Sequence, residues 1–219
     1  MKVLRVLEVF CGTKSFTKEC ERVGWQCTTL DNDTKFQPSI LVDIMEWDYK
    51  QFGPVDVLWC GCPCTTFSIA SFKRTPEVGN VLVKRTLEII QYFKEQNPSL
   101  IWAIENPWSS LLRKQDFMQG IPYKVCDYCQ YGSVSEGNFG YKKRTVIFGN
   151  IEWTPKLCPG PGKCVNMIGK YHLCTAQQGR QLKSRAPLQQ ETWTRSELYR
   201  MPPALCAEIV QAIQGELGA

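Results

Sequence analysis

The sequence predicts an α/β protein, a mostly parallel sheet with helices on both faces and a small cysteine-rich lobe appended to it. Three observations carry that expectation. Apolar strand-like runs alternate with amphipathic helical spacing through the first half of the 219 residues. Acids, glycines and a proline-flanked thiol fall where those runs end. Beyond Pro107 the texture changes to Gly, Pro, Cys and basic residues.

Residues 3–10 form a β-branched and apolar run ending at Cys11-Gly12. Residues 15–23 then place Phe16, Cys20 and Val23 at helical spacing, and Gly24 stops the helix. Residues 26–30 read as a second strand ending at Asp31-Asn32-Asp33, and 39–44 as a short third one. A fourth strand over 55–60 runs into Gly61-Cys62-Pro63-Cys64. A helix over 80–96 carries Leu82, Thr86, Ile89, Ile90 and Phe93 on one side and leads to a strand over 100–104. From 120 to 195 only 145–148 reads as a strand, and 202–213 reads as an amphipathic helix that begins at proline and docks on the core. The chain divides into a catalytic unit over 1–150, a reduced lobe over 151–199 and a returning helix over 200–219.

Twelve cysteines in a chain without an export pattern are expected to stay reduced, so metal binding, nucleophilic chemistry and burial compete to explain them. No apolar run approaches the roughly 20 residues of a membrane span, and a soluble, intracellular monomer is expected, in a cytoplasm or host cell. The net charge of +5 is unevenly placed: residues 111–200 hold 14 lysines and arginines against 6 acidic residues. That excess suits a polyanionic partner as well as an evenly solvated basic surface.

In an open parallel sheet ligands sit at the carboxyl ends of the strands. Phe10-x-Gly12 permits close backbone approach to a ligand there, and Asp31, with Asp43 one strand further, suits the hydroxyls of a ribose. Cys64 after Pro63 is a candidate nucleophile. Sulfur adding to carbon 6 of a pyrimidine makes carbon 5 enamine-like and able to accept an alkyl group, and helix N-terminal amides or nearby cations are the groups that can lower the thiol pKa. Glu105, at the end of the fifth strand, can grip the cytosine amine and has to carry a proton at the adjacent ring nitrogen while it works. Lys142 and Arg144 point the same way at the start of a strand, where Arg144 can bond the pyrimidine carbonyl.

The ordered set Phe10-x-Gly12, Asp31-x-Asp33, Asp43-Ile44, Pro63-Cys64 with Phe67-Ser68, Glu105-Asn106 and Lys142-x-Arg144 resembles the carbon-5 cytosine DNA methyltransferase family over about residues 4 to 150. Met201-Pro202-Pro203-x-Leu205 resembles the last motif of that family. The resemblance implies a Rossmann-like S-adenosylmethionine-dependent methyltransferase. It implies Cys64 as nucleophile, Glu105 gripping the ring, Lys142 and Arg144 as electrostatic helpers, and a target base flipped out of its duplex. The cofactor is expected against Phe10, Gly12, Thr13, Lys14, Ser15, Asp31, Asn32, Asp43, Ile44, Pro63 and Arg200. The chain departs from the family at Gly12-Thr13-Lys14-Ser15, which holds less glycine, at Asp31 for a glutamate, at Lys142 for an arginine, at Gly140 for a glutamine, and at Tyr199-Arg200 for a Gly-Asn loop. The cations Lys14 and Arg200 suit a carboxylated analogue of the cofactor.

About fifty residues remain for target recognition, which suits short or loose readout of DNA. RNA, transfer RNA above all, is the alternative substrate, and the small size suits a phage or viral enzyme. Within this stretch Cys129, Cys158, Cys164 and His172 form the preferred ligand set for a structural zinc ion, with Cys126 and Cys174 as substitutes. A group of reduced, buried cysteines without metal is the alternative. Trp153, Lys156, Lys163, Lys170, Tyr171, Arg180, Lys183, Arg185, Trp193 and Arg195 interleave cations with aromatics, as phosphate contact with base stacking requires and as simple packing of the lobe also permits. A zinc-containing nucleic-acid-binding module on a dead scaffold is a competing class, against which the presence of Cys64, Glu105 and Arg144 speaks. A redox protein is disfavoured because Cys62-Pro63-Cys64 has the wrong spacing for a two-residue redox loop.

Overall fold

The computed structural model of the chain describes residues 2–68, 75–134, 139–176 and 199–218. Seven strands form one sheet: β1 (Arg5–Val9), β2 (Gln26–Asp31), β3 (Ile40–Leu41), β4 (Val57–Cys60), β5 (Ile101–Pro107), β6 (Tyr123–Asp127) and β7 (Arg144–Gly149), in the order β3-β2-β1-β4-β5-β7-β6. The first five pair in parallel, and β7 runs antiparallel to both β5 and β6. This is a Rossmann-like α/β fold, in which the strand order reverses between β1 and β4 and leaves a crevice beyond their carboxyl ends.

Alternation along each strand sends side chains to opposite faces. Val6, Val57, Trp59, Ile101 and Ala103 share one core with Phe16 and Cys20 of α1 (Ser15–Arg22) and with Leu205, Ile209 and Ile213 of α3 (Pro203–Leu217). Leu7, Val9, Leu58, Trp102 and Ile104 meet Val83, Ile89, Ile90 and Phe93 of α2 (Pro76–Gln96) on the other face. Phe16 stacks on Trp59 with ring centroids 4.3 Å apart, so truncating Phe16 to Ala is worth roughly 3–5 kcal/mol of stability. Where β7 crosses β5, a Cβ on Gly149 would lie 2.0 Å from the Trp102 carbonyl oxygen, and its φ of 142° is open only to glycine.

The elements follow the sequence expectation with four differences. The third strand is only Ile40–Leu41, because the Asp43 side chain accepts from the Met45 N–H and turns the chain. Helix α2 begins a turn earlier than expected, at Pro76, where a missing N–H costs nothing. Helix α3 extends to Leu217. Strand β6 is an edge strand held by antiparallel pairing to β7, a long-range partner that its Cys-rich surroundings conceal.

Among the described residues, the lobe beyond β7 contains one small hairpin, β8 (Met167–Ile168) and β9 (Tyr171–His172). Ile151, Trp153 and Cys174 are buried in the core shared with α1 and α3, so the Trp153 ring packs the lobe against the sheet. Among the described residues no helix is long and apolar enough to cross a membrane.

Candidate active site and metal centre

A cleft of about 460 Å³ opens at the carboxyl ends of β1, β2, β4 and β5, a size that suits a cofactor-sized ligand. Its floor is the turn after β1, where Phe10 (φ 55°), Gly12 (φ 45°) and Lys14 (φ 56°) alternate through the left-handed region. Holding Phe10 and Lys14 there costs about 1–2 kcal/mol each, the kind of strain found at binding turns. The Gly12 N–H donates to Asp31 Oδ2 and the Asp33 N–H to Asp31 Oδ1, both at 3.0 Å, which aims a buried carboxylate into the cleft. Gly61 packs tightly here, since a Cβ would stand 3.0 Å from the Phe10 carbonyl oxygen and press on the turn. The hydroxyls of Thr13 and Ser15 share a hydrogen bond at 3.0 Å, and Ser15 Oγ accepts from the Met201 N–H, tying the approach to α3 to the turn.

Glu8, the inward acid of β1, lines the same cleft and accepts from the backbone N–H and the hydroxyl of Thr17. Burial pushes its carboxyl up to about 7, against the pull of those hydrogen bonds.

Cys64 stands half-buried at the head of a short 3-10 turn, Thr65–Phe67. The loop is held from two sides. Asn106 Nδ2 donates to the Cys62 carbonyl at 3.0 Å, and Gly79 of α2 packs so closely that a Cβ would lie 2.2 Å from Thr66 Oγ1 and 2.6 Å from the Phe67 ring. Burial and the Glu105 carboxylate raise the Cys64 thiol above its ordinary value, while the Lys143 ammonium opposes them. A nearby cation and a backbone hydrogen bond do act to lower this thiol, as the sequence allowed, but burial and the Glu105 carboxylate outweigh them. Glu105 Oε1 accepts from the Tyr128 hydroxyl at 3.3 Å and lies 3.9 Å from Lys143 Nζ, which also sits 4.7 Å from the centre of the Tyr128 ring.

Of the residues expected at a cofactor, Phe10, Gly12, Thr13, Ser15, Asp31, Asn32 and Pro63 line the cleft, together with Cys64 and Glu105. The others lie elsewhere. Asp43 is spent on its own turn and Ile44 is in the core. Lys14 Nζ bonds the Gln37 carbonyl, and Arg200 is exposed with its carbonyl accepting from the Tyr141 hydroxyl, so neither is among the lining residues.

Lys142 and Arg144 also face away from the cleft. Arg144 makes a bidentate pair with Asp127, Nε to Oδ1 at 2.8 Å and Nη2 to Oδ2 at 2.7 Å, across the β6–β7 register. Lys142 pairs through its backbone with Thr175, its ammonium acts on His172, and it is not among the lining residues. The intervening Lys143 is the cation that reaches Glu105, a correction that follows from period-two alternation once β7 is paired.

Lys143, Glu8 and Trp59 line the cleft without having been assigned a role from the sequence, and Tyr199 and Met201, noted there only for their place in the last motif, line it too. Two of them left a signal: Glu8 is a lone acid inside an apolar strand, and Lys143 is the odd member of a cationic triplet.

On the far side of that triplet the ligand atoms of Cys129, Cys158, Cys164 and His172 lie within 4.8 Å of one another. Cys158 Sγ is 3.4 Å and Cys164 Sγ 4.0 Å from His172 Nε2. The Gln130 amide donates to Cys129 Sγ at 3.5 Å and to Cys164 Sγ at 3.4 Å. Burial and the Lys142 ammonium lower the His172 imidazole below its ordinary value, against Asp127, which favours the neutral ring a metal takes. The substitutes Cys126 and Cys174 are not part of the cluster; both are buried in the apolar core. Of the cation and aromatic series, Lys156 pairs with Glu208, Lys170 Nζ lies 5.6 Å from the Tyr171 ring centre, and Lys163 is exposed. Arg180, Lys183, Arg185, Trp193 and Arg195 lie outside the described residues.

No protein-family model and no curated protein matches the chain. Among solved structures, that of the Entamoeba histolytica methyltransferase EhMeth is similar over 72% of this chain and 57% of that one, with a TM-score of 0.46 and 15% sequence identity. The chain thus spans a little over half the length of that protein.

Proposed function

We propose that the protein is a carbon-5 cytosine methyltransferase acting on DNA, with Cys64 as nucleophile. The observation that carries this reading is the convergence of the Cys64 thiol, the Glu105 carboxyl and the Lys143 ammonium on the cleft that also holds the Phe10–Ser15 turn and the Asp31 carboxylate. The order of the Phe10–Ser15 turn, Asp31, Cys64 and Glu105 along the chain resembles one family, and Lys143 supplies the cation that its reaction needs in place of Lys142 and Arg144.

The cleft fits S-adenosylmethionine. Asp31 keeps lone pairs for ribose hydroxyls after accepting its two N–H groups, and the bare backbone at Gly12 and Gly61 permits close approach. Bound there, the cofactor supplies an electrophilic methyl group on a sulfonium. Cys64 gives its thiol proton to solvent in the open cleft and adds through sulfur to carbon 6 of cytosine, while the proton held by Glu105 satisfies ring nitrogen 3, which makes carbon 5 nucleophilic. Glu105 bonds the exocyclic amine and holds a proton at ring nitrogen 3, and Lys143 offsets the negative charge that gathers beside the thiolate. After carbon 5 has been alkylated, loss of its proton expels the Cys64 thiolate and restores the ring.

Transfer of labelled methyl from S-adenosylmethionine to duplex DNA, single-stranded DNA and transfer RNA, run in parallel with Cys64→Ala, tests this. Label on carbon 5 of cytosine in DNA, absent with the variant, is the expected result. Label confined to transfer RNA would change the substrate, and no transfer to any of the three would overturn the reading.

A further inference from the structure

We propose that Cys129, Cys158, Cys164 and His172 bind one zinc ion, and that this ion fixes Tyr128, the buried ring that backs Lys143 and Glu105 in the wall of the cleft. The metal site stands independently of the transfer reaction proposed above.

Tetrahedral zinc at ordinary bond lengths spaces a sulfur and a nitrogen ligand roughly 3.6 Å apart. The separations of 3.4 and 4.0 Å from His172 Nε2 bracket that value, and all four ligand atoms fall within 4.8 Å. Three sulfurs gathered on an imidazole and a carboxamide are not an apolar thiol core of the kind that holds Cys60 or Cys206. Gln130 Nε2 donates to two of the sulfurs, the arrangement that steadies thiolate ligands.

The supporting shell extends outward. The Cys158 N–H donates to Asp127 Oδ2 at 2.8 Å, and Asp127 is clamped by Arg144. Asn166, fully buried, donates to the carbonyls of Cys129 and Gly132 at 2.7 and 2.8 Å and accepts from the Val134 N–H at 2.8 Å, which locks the turn carrying Cys129 onto the segment carrying Cys164. Apart from the two-residue strands of its hairpin, the segment over 151–176 has no regular structure to hold these ligands in place. A lobe of this kind gains its order from the ion.

The link to the cleft is short. Tyr128 precedes Cys129, its N–H donates to the Lys143 carbonyl at 2.9 Å, and its hydroxyl donates to Glu105. An ion that fixes Cys129 therefore fixes the ring on which Lys143 rests and a hydrogen bond to Glu105.

The test uses the full chain expressed with zinc, measuring metal content and the visible spectrum after exchange to cobalt. One equivalent of zinc per chain and the intense absorption of tetrahedral cobalt with thiolate ligands are expected. Cys158→Ser should lose the metal, Cys174→Ser should keep one equivalent, and His172→Cys should keep one with stronger sulfur-to-cobalt absorption. Should Cys158→Ser fail to fold, the His172→Cys spectrum decides. A wild-type chain with no stoichiometric metal, a Cys158→Ser chain that keeps its full equivalent, or an unchanged cobalt spectrum in His172→Cys overturns the site. Removing the metal should speed amide hydrogen exchange at 128–134 and 142–144 while β1 and β4 keep their protection. Equal protection in both regions would overturn the link to the cleft.

Discussion

Cys64 and the Cys129–Cys158–Cys164–His172 cluster lie on opposite sides of one cationic tripeptide, and their surroundings differ in kind. Cys64 has a carboxylate, an ammonium and a cleft before it. The cluster has a carboxamide, an ion pair and the backbone of a small lobe around it. Lys143 reaches Glu105 beside the first, whereas Arg144 pairs with Asp127 and the Lys142 ammonium acts on His172 beside the second. Residue type alone therefore says little about a cysteine. A lone thiol with an open approach is placed to attack, and thiols that converge on an imidazole are placed to ligate.

Cys64→Ala separates the two most sharply. Methyl transfer should fall by roughly 10⁴-fold or more, as removal of an essential nucleophile does, while the metal content stays as in the wild type. Residual transfer near the wild-type rate would mean that the wrong thiol has been assigned.

Lys143→Met comes next, with an expected loss of about 10²-fold in transfer. The raised pKa of Cys64 also makes its alkylation by iodoacetamide slow at neutral pH, climbing about tenfold per pH unit through the ordinary cysteine range. Lys143→Met removes the cation that opposes this shift, so the pH profile should move further up. Lys142→Met should leave both the profile and the transfer rate nearly unchanged. Equal effects of the two substitutions would erase the distinction between the faces of the tripeptide.

Two glycines probe the frames of the two sites. Gly79→Ala drives a methyl group into Thr66 and Phe67 behind Cys64, and Gly140→Ala drives one to 2.2 Å from Asn166 Oδ1 in the lobe. Overpacking of this kind costs about 1–3 kcal/mol, which exceeds the gain of up to about 1 kcal/mol from placing alanine in α2. Both variants should unfold at lower urea, but Gly79→Ala should lose transfer with metal retained, and Gly140→Ala should retain metal less well. The smallest effect belongs to Lys156→Ala, which breaks an exposed pair with Glu208 of α3. Its expected change in stability is below about 1 kcal/mol, with neither site disturbed.

Much of this was legible in the chain. Strand and helix alternation placed β1, β2, β4, β5 and β7 and the helices α1, α2 and α3, because those segments are long and periodic. β3 and β6 were harder to read, since a two-residue strand carries no period and an edge strand owes its shape to its partner. The cleft groups Cys64, Glu105, Asp31 and the glycine turn were visible because each sits where a strand stops. Asp43 looked equivalent by that rule, but β3 ends two residues before it and its side chain folds back on the turn.

The sequence by itself determined the order of the elements, the thiol and carboxyl at the ends of neighbouring strands, and the supply of soft ligands in the second half. Only the tertiary structure decided which of three successive cations meets Glu105 and brought the four preferred ligands within reach of one another. The first choice depends on the register of β7 against β5 and β6, where a shift of one residue exchanges the two faces. The second depends on distances between segments brought together by the Asn166 and Asp127 hydrogen bonds, while burial draws Cys126 and Cys174 into the apolar core. Both are outcomes of long-range packing, which local pattern does not encode.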